Sequence, residues 1–362
     1  MKIVFITSSF YPSIGGVETH VLHLSRELIS RGHKVTVITE DKQQDWQLMN
    51  VSDNVPVKSK SADKSAYFVH SKLYQIDIFY FKFGLPSRLK KFKIWYQLFK
   101  NRALFNDAEV VHCHDVFIWY LPFRFIYWSK KVFTTFHGYE THFPPHPRAI
   151  RIRQLSAKLS YGTINVGEFI KKWYGTIPDY VVYGGVKEVF SIQYPVSSIN
   201  KVGKLKILIL GRLEKDIGVQ VYKDTLRKLK QKGIKFSLTV CGDGTYRPDF
   251  EKYGTVVGFS SDRNKYIKAA DIIFASSYLS MLESLSFGKT VFAAYTNPLK
   301  HDYLHMSPFD KYVTISSESK RFVSKLQNFK PNIKLRDQAQ RWARAHTWGS
   351  VADTYLDLWS KK

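Results

Sequence analysis

The hydrophobic pattern changes period twice near the start of the chain. Residues 2–7, KIVFIT, form a continuous apolar run, after which Val17, Val21, Leu24 and Leu28 recur at helical spacing. A second apolar run, KVTVIT, follows. A short apolar run, a helical repeat and another apolar run predict a βαβ unit with parallel strands.

The same pattern begins again at residue 205. LKILILG predicts a strand and residues 219–232 a helix, and the apolar runs FSLTVCG, TVVGF, DIIFAS and TVFAAY follow with helical stretches between them. The intervening residues 194–204 are polar and turn-rich, as in a linker. We predict an α/β protein of two Rossmann-like, doubly wound parallel sheets that face a cleft, with a domain boundary between residues 195 and 196.

Length and composition agree with two folded domains but leave the partner open. The chain has 362 residues, 44% of them apolar, and a formal net charge of +25. Such a charge attracts nucleic acid, an anionic membrane or a small anionic substrate. Cys113 and Cys241 lie far apart, which argues against a disulfide framework and fits a reducing cytoplasm. The longest apolar run, residues 116–128, is too short to span a bilayer, so we expect a soluble or peripheral protein.

Two glycines follow the first predicted strand. Gly15 and Gly16 stand in SSFYPSIGGVETH, directly before the first predicted helix. Glycine permits close approach of a ligand to the backbone, and the first amides of a helix attract anions. The pair predicts an anion site, with an ordinary packing turn as the alternative.

Four histidines occur near the ends of two further predicted strands. VVHCHD contains His112 and His114, and VFTTFHGYETH contains His137 and His142. No HExxH or paired CxxC spacing organises them as zinc ligands, so we expect no metal. His137 is predicted to donate a hydrogen bond to a ligand, with a purely structural histidine as the alternative.

Cations and glycines follow the strands of the second half. LGRLEKDIG places Arg212 and Lys215 where they could bind a diphosphate, although a solvated basic loop is the alternative. Gly242, in CGDGTYR, would allow a ligand close to the backbone. The chain has no D-x-D triplet to hold a nucleotide-bound Mg²⁺ or Mn²⁺. We therefore expect arginine, lysine and helix ends to balance the diphosphate charge, without a cofactor.

Residues 78–106 contain no acid and combine basic with aromatic side chains. One helical face would carry Leu89, Phe92, Tyr96 and Phe99. Such a segment suits an anionic leaflet, where each basic residue adds about 1 kcal/mol. The alternatives are aromatics packed into the core and a single-stranded nucleic-acid groove, and without an RNP, KH or zinc-knuckle pattern we expect no nucleic-acid partner. The predicted acceptor and membrane face comprises Lys90, Lys91, Lys93, Trp95 and Tyr96.

The order of the motifs resembles a known enzyme family. YPSIGGVETHVLHLSRELISRGHKVTVIT, VVHCHD, TTFHGYE, VVYGGV, ILGRLEKDIG, VCGDGTYR and LESLSFGKTV occur in the order typical of family 4 retaining glycosyltransferases. The N-terminal stretch is similar to members that build lipid-linked or cell-surface glycans. The resemblance implies a GT-B fold with an acceptor domain (1–195), a nucleotide-sugar domain (196–340) and a C-terminal helix (341–362) that crosses back to the first domain.

The resemblance also implies roles for single residues. Gly16 would lie against the diphosphate or the sugar of the donor, and His137 would contact the transferred sugar. Arg212 would bind phosphate. Glu283 would bind the two hydroxyls of the ribose.

Two departures from the family pattern concern the donor site. Members of the family usually carry a glutamate eight positions before the ribose glutamate, in a loop similar to EGFGL, but here that position is Ala275 and the loop is shortened. The phosphate-binding lysine of the family falls on Ile217, with Lys215 as a nearby substitute. These departures leave activity in question.

We therefore predict a retaining, metal-independent glycosyltransferase that is peripheral on the cytoplasmic face of a membrane. It would move a sugar from a nucleotide-sugar donor, most simply UDP-linked, to a lipid-linked or growing surface glycan such as a lipopolysaccharide or another polysaccharide. One alternative is a non-catalytic family member that scaffolds or regulates a partner glycosyltransferase. Another is a nucleotide-sugar epimerase, which would need no acceptor.

Overall fold

A computed structural model describes residues 1–41, 57–59, 68–85, 87, 89–138, 142–187, 204–260 and 262–361. The chain divides into two compact units. Unit 1 comprises Met1–Tyr139, Pro145–Val182 and Trp348–Lys362. Unit 2 comprises Glu140–Pro144 and Tyr183–Thr347.

Unit 1 alternates strands and helices along most of its length. Its elements before the C-terminal segment are β1 (Lys2–Thr7), α1 (Gly16–Ser30), β2 (Lys34–Glu40), β3 (Val57–Ser59), β4 (Phe68–Leu73), β5 (Ile76–Phe81), α2 (Lys90–Lys100), α3 (Ala103–Asn106), β6 (Val110–His114), α4 (Phe117–Ile126), β7 (Lys131–Phe136), α5 (Pro147–Leu159), β8 (Gly162–Val166), α6 (Phe169–Tyr174) and β9 (Tyr180–Val182).

The sheet of unit 1 has the strand order β3-β4-β5-β2-β1-β6-β7-β8-β9. From β5 to β9 neighbouring strands are parallel, as the sequence predicts, with β1 between β2 and β6. At one edge of this sheet, β4 runs antiparallel to both of its neighbours, β3 and β5. The physical reason is the tight turn at Tyr74 and Gln75, both with positive φ, which reverses the chain between β4 and β5.

The core of unit 1 explains why its first elements form. Residues 3–7 of β1 are all buried, as expected for a strand covered on both faces. In α1 the predicted apolar positions Val21, Leu24 and Leu28 are fully buried. The helical spacing of these residues directs one face of α1 onto the sheet, which confirms the βαβ prediction.

Unit 2 repeats the alternation. Its elements are β10 (Leu205–Leu210), α7 (Val219–Gln231), β11 (Phe236–Cys241), α8 (Arg247–Glu251), β12 (Gly254–Val256), α9 (Arg263–Ala269), β13 (Ile272–Phe274), α10 (Tyr278–Ser286), β14 (Thr290–Ala294), α11 (Pro298–His305), β15 (Thr314–Ser316), α12 (Ser319–Gln327) and α13 (Ile333–Ala345), with 3₁₀ turns at Lys215–Ile217 and Pro308–Lys311.

The sheet of unit 2 is parallel throughout, with the strand order β12-β11-β10-β13-β14-β15. All four predicted helix-and-strand alternations from residue 205 onward are therefore present. Because the strands are parallel, the loops that follow them emerge at one edge of the sheet. This edge carries most of the residues that the sequence predicts to bind the donor.

The C-terminal segment consists of two helices rather than one. After α13, the chain bends at His346 and Thr347 and continues as α14 (Trp348–Lys361). The segment that belongs to unit 1 begins at Trp348, not at 341, and Arg31 of α1 holds it through Asp353 at 2.5 Å. The predicted domain boundary at 195/196 lies outside the described residues, and unit 2 already includes Tyr183–Lys187.

Candidate functional site

Glu283 lies on α10, which follows β13 at the loop-bearing edge of unit 2. Its Oε1 accepts a hydrogen bond from Arg263 Nη2 at 2.8 Å. Its Oε2 is buried and has no hydrogen-bond partner among the residues that the structure describes. Burial raises the pKa of the Glu283 carboxyl, while the positive charges of Arg263 and Lys187 oppose that rise. One carboxylate oxygen is thus fixed, and the other is an acceptor that still lacks a donor among the described residues.

The helix that carries Glu283 is braced at its C-terminal end by α13. Arg336 Nε donates to the Gly288 carbonyl at 2.5 Å, and Arg344 Nε donates to the Ser286 carbonyl at 3.1 Å. These bonds occupy carbonyls that a helix leaves without partners at its end. They fix the helix and therefore the position of the carboxylate.

Arg212 follows β10 at the same edge. Its Nη2 lies 2.9 Å from Asp216 Oδ2, and 45% of its side chain is exposed. Lys215 is exposed in the 3₁₀ turn, whereas Ile217 is 7% exposed and belongs to the hydrophobic core of unit 2. Position 217 is therefore a packing position in this chain and cannot contribute a phosphate contact.

The connection from β13 to α10 is short and closed by buried hydrogen bonds. Ala275 is 1% exposed, and its N–H donates to the Phe292 carbonyl at 3.0 Å. Ser276 Oγ hydrogen bonds with the Tyr222 hydroxyl and accepts from the Ala294 N–H at 2.9 Å. These bonds hold the start of the connection against β14 and α7.

Gly15 and Gly16 lie at the N-terminus of α1 in unit 1. Gly16 is the first residue of the helix, whose initial N–H groups have no partner within the helix. An added Cβ at Gly16 would meet no heavy atom within 4 Å, so packing does not require glycine there. At Gly242 in unit 2, by contrast, a Cβ would lie 1.8 Å from the Gly211 carbonyl oxygen. Close backbone packing accounts for Gly242, and its donor contact stays a prediction.

This difference between the two glycines is testable. In Gly16→Ala we expect unchanged thermal stability but at least about fivefold weaker binding of UDP, because the new methyl group would occupy ligand space. Gly242→Ala should instead lose about 1–3 kcal/mol of stability through its backbone clash. Thermal unfolding and calorimetric titration of both variants check the pair. A Gly16→Ala protein that binds UDP as tightly as the wild type would contradict a ligand at this helix end.

His137 follows β7 in unit 1 and is held on two sides. Its Nε2 lies 2.8 Å from His114 Nδ1, and its backbone N–H donates to Asp115 Oδ1 at 3.1 Å. Arg153 Nη1 also donates to Asp115 Oδ1, at 3.0 Å, while its Nη2 donates to the Gly138 carbonyl at 2.7 Å. Asp115 itself has a φ of 63°, an uncommon conformation that such surroundings must maintain. Asp115 and Arg153 thus position the loop that carries His137.

His137 is a neutral imidazole at physiological pH. Burial and, to a smaller extent, the charge of Arg153 lower the pKa of His137 to about 3. A neutral imidazole can donate one hydrogen bond and accept another. It suits a contact to a sugar hydroxyl better than proton donation as an imidazolium.

A chain of hydrogen bonds links the histidines of unit 1 to α14. Trp359 Nε1–H can only donate, so His112 Nδ1 accepts it at 3.1 Å. The remaining proton of His112 then lies on Nε2, which donates to Thr135 Oγ1 at 2.7 Å. Thr135 Oγ1 also hydrogen bonds with the Tyr355 hydroxyl at 2.8 Å, and this hydroxyl hydrogen bonds with His20 Nε2 at 3.0 Å. The C-terminal helix therefore fixes the tautomer of one buried histidine, His112.

Sequence patterns predicted neither this hydrogen-bond network nor the hydrogen bonds of Arg153 and Arg263. Tyr355 and Trp359 have the spacing of core residues of a helix. This spacing predicts their burial but not the hydrogen bonds of their polar atoms. Arg153 and Arg263 show no pattern that separates them from surface arginines. Their partners lie 38 and 20 residues away in the chain.

The face of α2 is only partly as predicted. Phe79, Tyr80 and Phe81 belong to β5, and the latter two are buried, so this part of the basic aromatic segment is core. Within α2, Lys90 pairs with Glu40 at 2.5 Å, and Trp95 Nε1 donates to the Ile118 carbonyl at 2.8 Å. Both side chains are partly buried and have structural partners.

The remaining α2 positions form an exposed aromatic and basic surface, which we call the α2 face. Its apolar members are exposed by 70%, 51%, 52% and 47% at Leu89, Phe92, Tyr96 and Phe99. Its cations lie over its rings, with Lys91 Nζ at 4.9 Å from the Phe92 centroid, Lys100 Nζ at 5.4 Å from that of Tyr96 and Arg102 at 4.9 Å from that of Phe99. Lys93 is also exposed. The alternative of aromatics packed into the core is therefore wrong for this face.

Two negative observations accompany these sites. Within the described ranges, no group of three or more histidine, cysteine, aspartate or glutamate side chains is arranged to hold a metal ion. Among the helices of those ranges, none combines the length and the apolar character needed to cross a bilayer.

Comparison with known proteins places these features in a family. Residues 14–188, from the Gly15–Gly16 loop to beyond β9, match the family described as Glycosyltransferase Family 4. This part of the chain belongs to that family. The matched segment contains the helix N-terminus and the His137 loop.

Curated relatives share a shorter stretch with this chain. The chain is 51% identical over 113 residues to the phosphatidylinositol N-acetylglucosaminyltransferase GPI3 subunit of Saccharomyces cerevisiae. This alignment covers 31% of this chain and 21% of that protein. It is 28% identical over 121 residues to the gpi3 subunit of Schizosaccharomyces pombe, which covers 31% of this chain and 23% of that protein. The alignments thus span less than a quarter of these relatives.

Solved structures match the whole chain in fold. Anabaena HepE, solved in complex with UDP and glucose, has a TM-score of 0.71 at 13% identity and covers 100% of both chains. Starch synthase IV of Arabidopsis thaliana, bound to ADP and acarbose, has a TM-score of 0.67 at 13% identity, with 99% of this chain and 98% of that chain covered. At such identities the likeness establishes the fold, which is GT-B.

Proposed function

We propose that this family 4 protein transfers a sugar, with retention, from a UDP-linked donor to a lipid-linked or growing surface glycan at the cytoplasmic face of a membrane. The observation that carries the proposal is the Glu283 carboxylate of unit 2, with one oxygen fixed by Arg263 and the other buried without a hydrogen-bond partner in the described residues. The UDP complex of HepE and the names of the yeast relatives support the donor and the acceptor class.

Each unit carries its own set of proposed ligand contacts. In unit 2, Glu283 accepts hydrogen bonds from the ribose hydroxyls and Arg212 binds the diphosphate. In unit 1, the first amides of α1 at Gly15 and Gly16 attract negative charge, and His137 donates to a hydroxyl of the transferred sugar. We propose that the reaction uses neither metal nor cofactor, because these cations and amides take over the role of a divalent ion.

The chemical step is a same-face substitution at the anomeric carbon. The bond from that carbon to the diphosphate oxygen breaks, and the bond to the acceptor oxygen forms on the same side. The acceptor proton moves to the leaving phosphate, so no protein nucleophile is needed. The protein contributes positioning and stabilises the charge that develops on the diphosphate.

One assay separates this proposal from its rivals. Wild-type protein with UDP-sugars should release UDP only when vesicles containing a lipid extract are present, because the acceptor is lipid-linked. Binding of UDP without release under any condition would favour the non-catalytic scaffold, for which the buried Ala275 and Ile217 argue. Conversion of the donor without vesicles would favour an epimerase.

The α2 face is the proposed contact with an anionic bilayer. Exposed aromatics beside exposed lysines match the interface of headgroups and acyl chains, where the rings insert and the cations meet lipid phosphates. Phe125 and Trp128, exposed by 66% and 74% at the end of the neighbouring helix α4, are further apolar candidates for this contact. An anionic membrane is therefore the partner we assign to this face.

Charge reversal on the α2 face tests the membrane contact. We expect the double variant Lys91→Glu, Lys93→Glu to bind phosphatidylglycerol vesicles at least about tenfold more weakly, since each basic residue contributes about 1 kcal/mol near the surface. The matched control is Lys230→Glu, Lys252→Glu, which reverses two exposed lysines of unit 2. Equal loss in both double variants in vesicle sedimentation would mean that net charge alone, rather than the α2 face, attracts the membrane.

A further inference from the structure

Two histidines of α11 lie close together, outside the residues that we assign to the donor. His301 and His305 are four residues apart in this helix, so their side chains occupy one face. Their ring centroids are 4.4 Å apart, with 36° between the ring planes. Their side chains are 45% and 32% exposed, which leaves both accessible to solvent. Helical histidines at this spacing can bind one metal ion together.

Each ring is oriented through its Nδ1 atom. His301 Nδ1 lies 3.2 Å from Asp302 Oδ1, and His305 Nδ1 lies 2.7 Å from Asp310 Oδ1. An ionised carboxylate can only accept, so Nδ1–H is the donor in both pairs. In a neutral ring the lone pair then lies on Nε2, which has no hydrogen-bond partner in either histidine within the described part of the chain. Metal-binding histidines show this arrangement, because a carboxylate on one ring nitrogen makes the other a better ligand.

The distance between the two rings fits a shared ion. At Zn–N distances of about 2.1 Å, two imidazoles on one ion have centroids about 4.5–5.2 Å apart, depending on the N–Zn–N angle. The observed 4.4 Å therefore requires only a small rotation of one side chain. Tyr295, directly after β14, packs nearly at right angles to both rings, with centroid distances of 5.2 and 6.0 Å. This packing limits the rotation of the rings, so less entropy is lost when an ion binds.

We propose that His301 and His305 bind one divalent transition-metal ion, such as Zn²⁺, through their Nε2 atoms. Asp302 and Asp310 do not bind the ion directly, but they orient the rings and balance its two positive charges. Imidazole nitrogen favours Zn²⁺, Cu²⁺ and Ni²⁺, whereas Mg²⁺ and Ca²⁺ prefer oxygen ligands. Two rings that only pack against each other would not distinguish between these ions.

This site goes beyond the proposed function and adds no step to sugar transfer. Because no group of three metal-binding side chains occurs in the described ranges, water molecules complete the coordination of the ion. The ion links two successive turns of α11, and its expected effect is to stabilise unit 2. Failure of the metal site would therefore leave the proposed donor site untouched.

Calorimetric titration of the chain, without an affinity tag, with ZnCl₂ tests the proposal. We expect one Zn²⁺ per chain, and at least about tenfold weaker binding in His301→Gln and in His305→Gln, because each variant lacks one of the two ligands. Asp310→Ala should also bind Zn²⁺ about tenfold more weakly, although it keeps both ligands, because the carboxylate partner of a metal-binding histidine contributes to affinity. Mg²⁺ in about a hundredfold excess should not compete.

Thermal unfolding gives an independent measurement of the same site. At a Zn²⁺ concentration about 100 times Kd, the wild type should unfold at least about 5 °C higher than without the ion. The two histidine variants should gain about half of this increase or less. Without metal they should unfold as the wild type does, because both side chains are partly exposed. That agreement would exclude misfolding as the cause of weaker binding.

His70→Gln is the matched control. His70 is 40% exposed in β4 and lies 3.2 Å from Asp77, but its ring stacks on Phe79 rather than on a second histidine. This variant should keep the wild-type affinity for Zn²⁺. The proposal is wrong if His301→Gln and His305→Gln bind Zn²⁺ as tightly as the wild type, if His70→Gln loses as much affinity as they do, or if Mg²⁺ displaces Zn²⁺.

Discussion

Glu283→Gln should weaken the binding of UDP and of uridine by about 100-fold or more, because each hydrogen bond to a charged group contributes roughly 1.5–3 kcal/mol. The change keeps the shape of the side chain but removes the charge and one acceptor. Oε2, the oxygen without a partner in the described residues, is the one we expect the ribose hydroxyls to reach. Transfer of sugar should fall with donor binding.

The control for Glu283→Gln is a glutamate of the same unit with a different environment. Glu251 pairs with Arg247 on the surface of α8, where 49% of its side chain is exposed. Glu251→Gln should leave both affinities unchanged. Glu283→Gln that binds uridine as tightly as the wild type would place the ribose elsewhere and remove the main support for the donor site.

Acid should unfold unit 1 over a narrow pH range, because four of its buried histidines are neutral. Burial lowers the pKa of His20, His112 and His114 well below the usual value, and that of His137 to about 3. In the unfolded chain each would titrate near about 6.5. Below that pH the unfolded state binds protons that the folded state does not, so stability falls as pH falls.

The expected size of this effect is large. Each histidine contributes a slope of about 1.4 kcal/mol per pH unit between its unfolded and folded pKa values, so four approach about 5 kcal/mol per pH unit. We expect the unfolding temperature of unit 1, followed by circular dichroism, to drop steeply between pH 6.5 and about 5.

Two histidine variants check the cause of the acid effect. His112→Gln removes one buried titrating group and should reduce the slope by about a quarter, whatever its effect on stability at neutral pH. His305→Gln replaces a partly exposed histidine of unit 2 that pairs with Asp310, and should leave the slope of unit 1 as it is. A stability that stays constant from pH 7 to 5 would show that the four histidines are not held neutral.

The βαβ units could be predicted because their signal is local. β1, α1 and β2, and later β10 and α7, each show the spacing of buried residues within a few turns of chain. The edge strands β3 and β4 could not be predicted in the same way, since their direction depends on a turn at Tyr74 and Gln75 and on partners elsewhere in the sheet. β5 lies between β2 and β4, and this position in the sheet buries part of its aromatic run in the core.

Single site residues could be predicted only where a motif carries them. Glu283 and His137 stand in motifs of recognisable order, and their contact with a ligand stays a prediction. Lys90 looked like a free cation because its partner Glu40 is 50 residues away. Gly242 looked like a ligand contact, whereas its closest neighbour is the backbone of Gly211. Such long-range contacts are not encoded in local spacing.

A crystal structure of the wild-type protein with bound UDP tests the central claim most directly. The account predicts ribose hydroxyls within hydrogen-bond distance of Glu283 Oε2, with Arg263 still on Oε1, and phosphate oxygens in contact with Arg212. Density for the nucleotide away from α10, with Oε2 of Glu283 facing only protein, would contradict it.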